Sequence, residues 1–129
     1  MFKRFFTTFV CAAALTLAGC GGGTNILNVQ SRYTVHSGNV NLDNVTRTII
    51  TACATKGWKP SIAGPGDIIA TRHSSGHVAK VEIVYTNESF NIQYLDSDNM
   101  GYDGKHISSI YSQWVEELQS EIKFRLSEL

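Results

Sequence analysis

Apolar residues along the chain change their spacing several times, and each change predicts an element. From Phe5 to Ala18 they form a run without a charged side chain, preceded by Lys3 and Arg4. Leu42, Val45, Ile49, Ala52 and Cys53 then recur at helical spacing, with Asn39 or Asn41 as the cap and Gly57 placed to close the helix in a left-handed conformation. Trp58, Pro60 and Ile62 alternate, Ala63-Gly64-Pro65-Gly66 makes a turn, and Asp67 to His73 and His77 to Tyr85 read as strands. The chain closes with an amphipathic helix from about Lys105 to Ser127, capped by Asp103, with Ile107, Ile110, Tyr111, Trp114, Leu118, Ile122 and Leu126 on its apolar face.

The strand registers follow from the alternation. A two-residue turn at Asn87-Glu88 pairs Tyr85 with Phe90, Ile83 with Ile92 and Val81 with Tyr94, leaving Lys80, Glu82, Asn91 and Gln93 on the other face. A three-residue loop at Ser74-Ser75-Gly76 pairs His73 with His77, Thr71 with Ala79 and Ile69 with Val81. The simplest fold that buries all these positions is α+β and two-layered: a four-stranded antiparallel meander with two helices on one face, in the order α-β-β-β-β-α.

Composition narrows the picture mainly at the start of the chain. The 129 residues carry 11 basic and 11 acidic side chains, a balance that excludes a nucleic-acid binder relying on a strongly basic surface. The run from Phe5 to Ala18 is shorter than the roughly 20 residues a helix needs to cross a bilayer, and it ends in small residues, as the core of a secretory signal does. Beyond it, residues 21 to 39 are rich in Gly, Asn, Ser and Thr and read as a flexible tether, with Tyr33-Thr34-Val35 able to add a short strand. Nineteen residues of such chain hold a domain on the order of 25 Å from its anchor point.

Leu17-Ala18-Gly19-Cys20 resembles the lipobox of bacterial lipoproteins. That resemblance implies cleavage before Cys20, diacylation of its thiol and, usually, a third acyl chain on the new amino terminus. Two or three chains at about 0.8 kcal/mol per buried methylene make a lasting anchor. Cys11 competes poorly because the bulky pair Phe9-Val10 precedes it. In such families an aspartate directly after the lipidated cysteine favours inner-membrane retention. Gly21 stands there instead and points to the outer membrane of a Gram-negative cell. The expected organisation is therefore a signal peptide over residues 1–19, the lipidated cysteine and tether over 20–39, and the α+β domain over 40–129.

Removing residues 1–19 discards Lys3 and Arg4, leaving nine basic and eleven acidic side chains, so the mature surface offers no charge for DNA or anionic headgroups. Cys53 is then the one unlipidated cysteine and reads as a small buried hydrophobe, with pairing between chains or redox sensing as the other roles. The stretch from Gly57 to Leu118 also resembles an uncharacterised group of small proteobacterial lipoproteins. The shared features are Gly57-Trp58, Pro65-Gly66, the alternation from Ala79 to Tyr85, Asn99-Met100-x-Tyr102-Asp103 and the segment Ile107 to Trp114. It implies no activity.

Signatures of catalysis are sparse. There is no His-Glu-x-x-His, no Gly-x-Ser-x-Gly and no phosphate-binding glycine loop. Asp96-Ser97-Asp98-Asn99-Met100-Gly101 begins like a calcium loop, yet Met100 occupies a ligand position and Ile107 stands where the bidentate glutamate belongs. Extending the Tyr85–Phe90 register brings Asp98 opposite His77, itself opposite His73, and two imidazoles with a carboxylate are the minimum for a zinc or copper site. The reading is a lipid-anchored envelope lipoprotein facing the periplasm or cell surface. It acts as a non-catalytic binding or structural module with an envelope-protein partner and no cofactor beyond the lipid on Cys20. The alternative is a small periplasmic metal-binding protein, enzyme or inhibitor built on His73, His77 and Asp98.

Overall fold

The computed structural model describes residues 23–34 and 40–129. The signal segment and Cys20 lie outside the described residues. The elements in chain order are β1 (Gly23–Asn25), β2 (Val29–Arg32), α1 (Leu42–Thr55), β3 (Lys59–Gly64), β4 (Asp67–Ser74), β5 (His77–Tyr85), β6 (Ser89–Asp98), β7 (His106–Ser108) and α2 (Ser109–Ser127).

The class is α+β with antiparallel sheets, as the periodicity requires. β3 to β6 form the expected meander, but the sheet has five strands in the order β2-β6-β5-β4-β3, and β1 with β7 makes a separate two-stranded ladder. The four-stranded expectation is corrected because part of the supposed tether is structured. Val29 pairs with Ile92 and is only 5 % exposed, and Ile26, Leu27 and Tyr33 around it pack partly buried against the core, so scattered apolar residues in a polar stretch bring β2 onto the sheet.

Both helices cover one face. α1 buries Val45, Ile49, Ala52 and Cys53, and Asn41 caps it by accepting from the Asn44 N–H at 2.9 Å. Gly57 follows with φ +80, the left-handed exit its sequence position implies. α2 buries Tyr111, Trp114, Val115, Leu118, Ile122 and Leu126 against the sheet residues Ile68, Ala70, Ala79, Val81, Ile83, Phe90 and Ile92. Its cap is Ser108, not Asp103, because residues 106–108 are drawn into β7 by pairing with β1. Ile107 is fully buried there as a strand residue and not as part of the helix face.

The Asn87-Glu88 hairpin has the expected register: Tyr85 with Phe90, Ile83 with Ile92, Val81 with Tyr94. Thr86 fixes the turn, its hydroxyl accepting from the N–H groups of Glu88 and Ser89, both at 3.1 Å. The other hairpin turns on two residues, not three. Ser75 and Gly76 both take positive φ, 51° and 78°, the geometry of a primed turn that matches strand twist. Ser74 therefore faces His77, Arg72 faces Ala79 and Ala70 faces Val81. The one-residue shift buries Ile68 and Ala70 in place of Ile69 and sets Arg72 on the helix side. There its guanidinium lies 4.4 Å from the Trp114 ring centroid and 3.5 Å from Glu117.

Candidate functional site

The most structured recess grows from a mismatch in strand length. β2 pairs with β6 only over residues 89–92, while β6 runs on to Asp98. Where β2 stops, the Asn28 side chain takes over and accepts from the Tyr94 N–H at 3.2 Å. The chain leading from β1 is tied to the loop before β7, with the Ile26 N–H donating to the Lys105 carbonyl at 3.2 Å. Between these segments lies an open groove of about 610 Å³, walled by Asn25, Asn28, Gln93, Tyr94, Tyr102 and Lys105.

Its aromatic wall is layered. Tyr102, 44 % exposed, stacks on Tyr94 with centroids 4.4 Å apart, and Tyr94 in turn meets Tyr111 edge-on at 5.6 Å. Tyr94 shares a 2.8 Å hydrogen bond with Ser97, and burial raises its phenol above the ordinary value. Asp103 organises the loop: one carboxylate oxygen accepts from the N–H groups of Lys105 at 2.8 Å and His106 at 2.6 Å, and the other lies 3.1 Å from His106 Nδ1. Those amides hold its carboxyl below the usual range, with His106 adding to the effect. The groove thus offers a ring face, three carboxamides that donate and accept, and one ammonium. That set can hold a polar ligand with an apolar side, and its lining carries no paired nucleophile and base.

The residues singled out from the sequence are not gathered. The two-residue turn puts His73 opposite Val78, and an irregularity between Lys80 and Val81 carries Asp98 opposite Val78 as well. His73 and Asp98 therefore share the open face of the sheet on either side of Val78, whereas His77 points to the helix side with Ala79 and Val81. His77 Nδ1 donates to the Asn99 carbonyl at 2.6 Å, and the Asn99 side chain donates to the Gly76 carbonyl at 3.1 Å. The expected His73, His77 and Asp98 cluster is corrected on this geometry, and among the described residues no group of three His, Cys, Asp or Glu side chains lies placed to hold a metal ion. Met100, 2 % exposed, and fully buried Ile107 belong to the core, which explains why the calcium-like loop has apolar residues at those positions.

Two arrangements escape a reading by periodicity. The Asp103–His106 pair sits in a loop whose Asp-x-x-His spacing looks like the start of a helix. Asp67 and Glu82 approach each other on the open sheet face, where the Asp67 charge first, and then burial and a hydrogen bond between the carboxyls, push Glu82 above its ordinary value. Cys53 is fully buried, and that burial pushes its thiol up to about 12.

Comparison of the chain with family models, with curated proteins and with solved structures finds no match.

Proposed function

We propose that this chain is a lipid-anchored cell-envelope protein, held in the outer membrane through acyl chains on Cys20, whose folded domain is a non-catalytic binding module. The observation that carries the reading is the sequence Leu17-Ala18-Gly19-Cys20 at the end of an uncharged apolar run behind Lys3 and Arg4. Among the described residues no helix is long and apolar enough to cross a membrane; in this reading the acyl chains on Cys20 provide the attachment. The groove beside Tyr102 supports a binding role: it presents hydrogen-bonding groups and a ring face without a catalytic pair.

The test is fractionation of cells making the wild-type chain and the Cys20→Ala variant, with labelled palmitate supplied. The wild type takes up label and stays with the membrane after a carbonate wash, while the variant takes up none and keeps its uncleaved signal. A wild-type chain that takes up no label overturns the proposal.

A further inference from the structure

We infer that the domain stands directly on the bilayer that holds its own lipid, with one defined pole against the phospholipid headgroups. The inference rests on lipidation of Cys20. It starts from the position of β1: the strand opens at Gly23, three residues after Cys20, and three residues reach at most about 10 Å even when fully extended. Residues 23–34 of the tether expected from composition are instead built into the domain, β1 and β2 among them.

β1 holds its place through several contacts. Gly23, Thr24 and Asn25 pair with Ser108, Ile107 and His106, and the Thr24 hydroxyl lies 3.2 Å from that of Ser112 on α2. The first strand residue sits in a shallow recess bounded by His77, Asn99, Gly101 and Ser108. The arm therefore leaves the domain between the Ser75-Gly76 turn and the start of α2. That pole is where the headgroups must be.

The opposite pole is far away. β5 runs from His77 to Tyr85, and at about 3.3 Å per residue it carries the Asn87-Glu88 turn roughly 25–30 Å from the anchored end. Charge gives no competing reason to turn the molecule over, since Asp98 and Asp103 offset Lys105 and the exposed histidines near the arm. The covalent arm alone sets the orientation. The Tyr102 groove, one strand-length from Gly23 at the Asn25 end of β1, then opens beside the membrane surface and takes its ligand there.

Site-directed fluorescence quenching in vesicles tests this. The full-length lipidated chain carries a cysteine-linked fluorophore at Ser109→Cys or Lys105→Cys near the arm, or at Asn87→Cys on the far turn, all exposed positions. Cys53 is buried and stays unlabelled. In phosphatidylethanolamine–phosphatidylglycerol vesicles containing headgroup-nitroxide lipid, quenching is several-fold stronger at both near sites than at Asn87. Inserting fifteen Gly/Ser residues before Gly23, about 20 Å of additional mean reach, removes most of that contrast while the protein still floats with the vesicles. Equal quenching at both poles, or contrast unchanged by the insertion, overturns the orientation while leaving lipidation standing. A wild-type chain that does not float overturns lipidation, and the inference with it.

Discussion

Replacing Gly66 by alanine tests the tightest backbone approach in the sheet. Gly66 ends the β3–β4 turn after Pro65 with φ +70, and a Cβ added there would stand 2.7 Å from the Tyr85 carbonyl oxygen. The clashing atom is backbone, so no rotamer change relieves it. The Gly66 carbonyl also accepts from the Tyr85 N–H at 2.9 Å, which ties the same two residues together. A non-glycine residue held in the left-handed region costs about 1 kcal/mol. Forcing the two strands apart by a few tenths of an ångström adds overpacking of about 1–3 kcal/mol. The reduced freedom of the unfolded chain returns about 0.5–1 kcal/mol, leaving a net loss of about 1–3.5 kcal/mol. For a domain of this size that lowers Tm by on the order of 10–15 °C. Gly64, in the same turn, is the control: its φ is not in the left-handed range and nothing lies within 4 Å of a Cβ there. Urea unfolding followed by the fluorescence of buried Trp58 and Trp114 reads both variants. A Gly66→Ala loss within about 0.5 kcal/mol of the Gly64→Ala loss would refute the reasoning.

The remaining predictions concern side chains. Arg72→Ala should cost about 1–2 kcal/mol, because it strips the guanidinium from Trp114, while Glu117→Gln should cost less than about 0.5 kcal/mol, the ion pair being half in solvent; equal losses on urea unfolding would assign the stabilisation to charge. Cys53 should resist iodoacetamide in the folded protein at pH 8 and react on unfolding. Because the folded thiol lies near 12 against an ordinary 9.0, its contribution to stability is intact below pH 9 and falls as pH rises from there; labelling at the rate of a free thiol would contradict its burial. Asp103, whose folded value is depressed below its ordinary 3.8, favours the folded loop above about pH 4, and that contribution is lost as pH falls through the lowered value. Carboxylate NMR should find it titrating below the unfolded reference, and Asp103→Asn should remove that titration while loosening the Lys105 and His106 amides.

What the sequence made legible follows from how local each signal is. The Asn87-Glu88 register can be read because every apolar partner falls on one face at period two, so a slip would turn Phe90, Ile92 and Tyr94 outward together. The Ser74–Gly76 hairpin carries a weaker pattern. Ile68-Ile69-Ala70 offers apolar residues to either face, and a serine in a left-handed conformation leaves no mark in composition. That one-residue difference, with the irregularity near Lys80, divides His73 and Asp98 from His77. β2 is not legible because its pairing lies across the chain at β6, and Val29 with the scattered Ile26, Leu27 and Tyr33 makes no periodic pattern. Asp103 does not cap the last helix: it accepts from the Lys105 and His106 N–H groups to close a loop, and the helix starts only after β7. The groove was not legible at all, because it is made by the ends of elements, and no periodicity describes where a strand stops short of its neighbour.

The pairing of β1 with β7 and of β2 with β6 also orders events in time. β3 to β6 meet through short hairpins, whereas β1 and β2 must find partners near the other end of the chain. Contacts of such long separation form late, since closing the larger loop costs entropy before it returns any contact. Any state in which β2 has not yet docked leaves the outer edge of β6 unpaired over Ser89 to Ile92. An unpaired edge of that kind is a template for another chain. The four residues of β2 thus act during folding as an internal edge guard, and their loss would show first as aggregation during refolding, ahead of any fall in the melting temperature of the molecules that succeed.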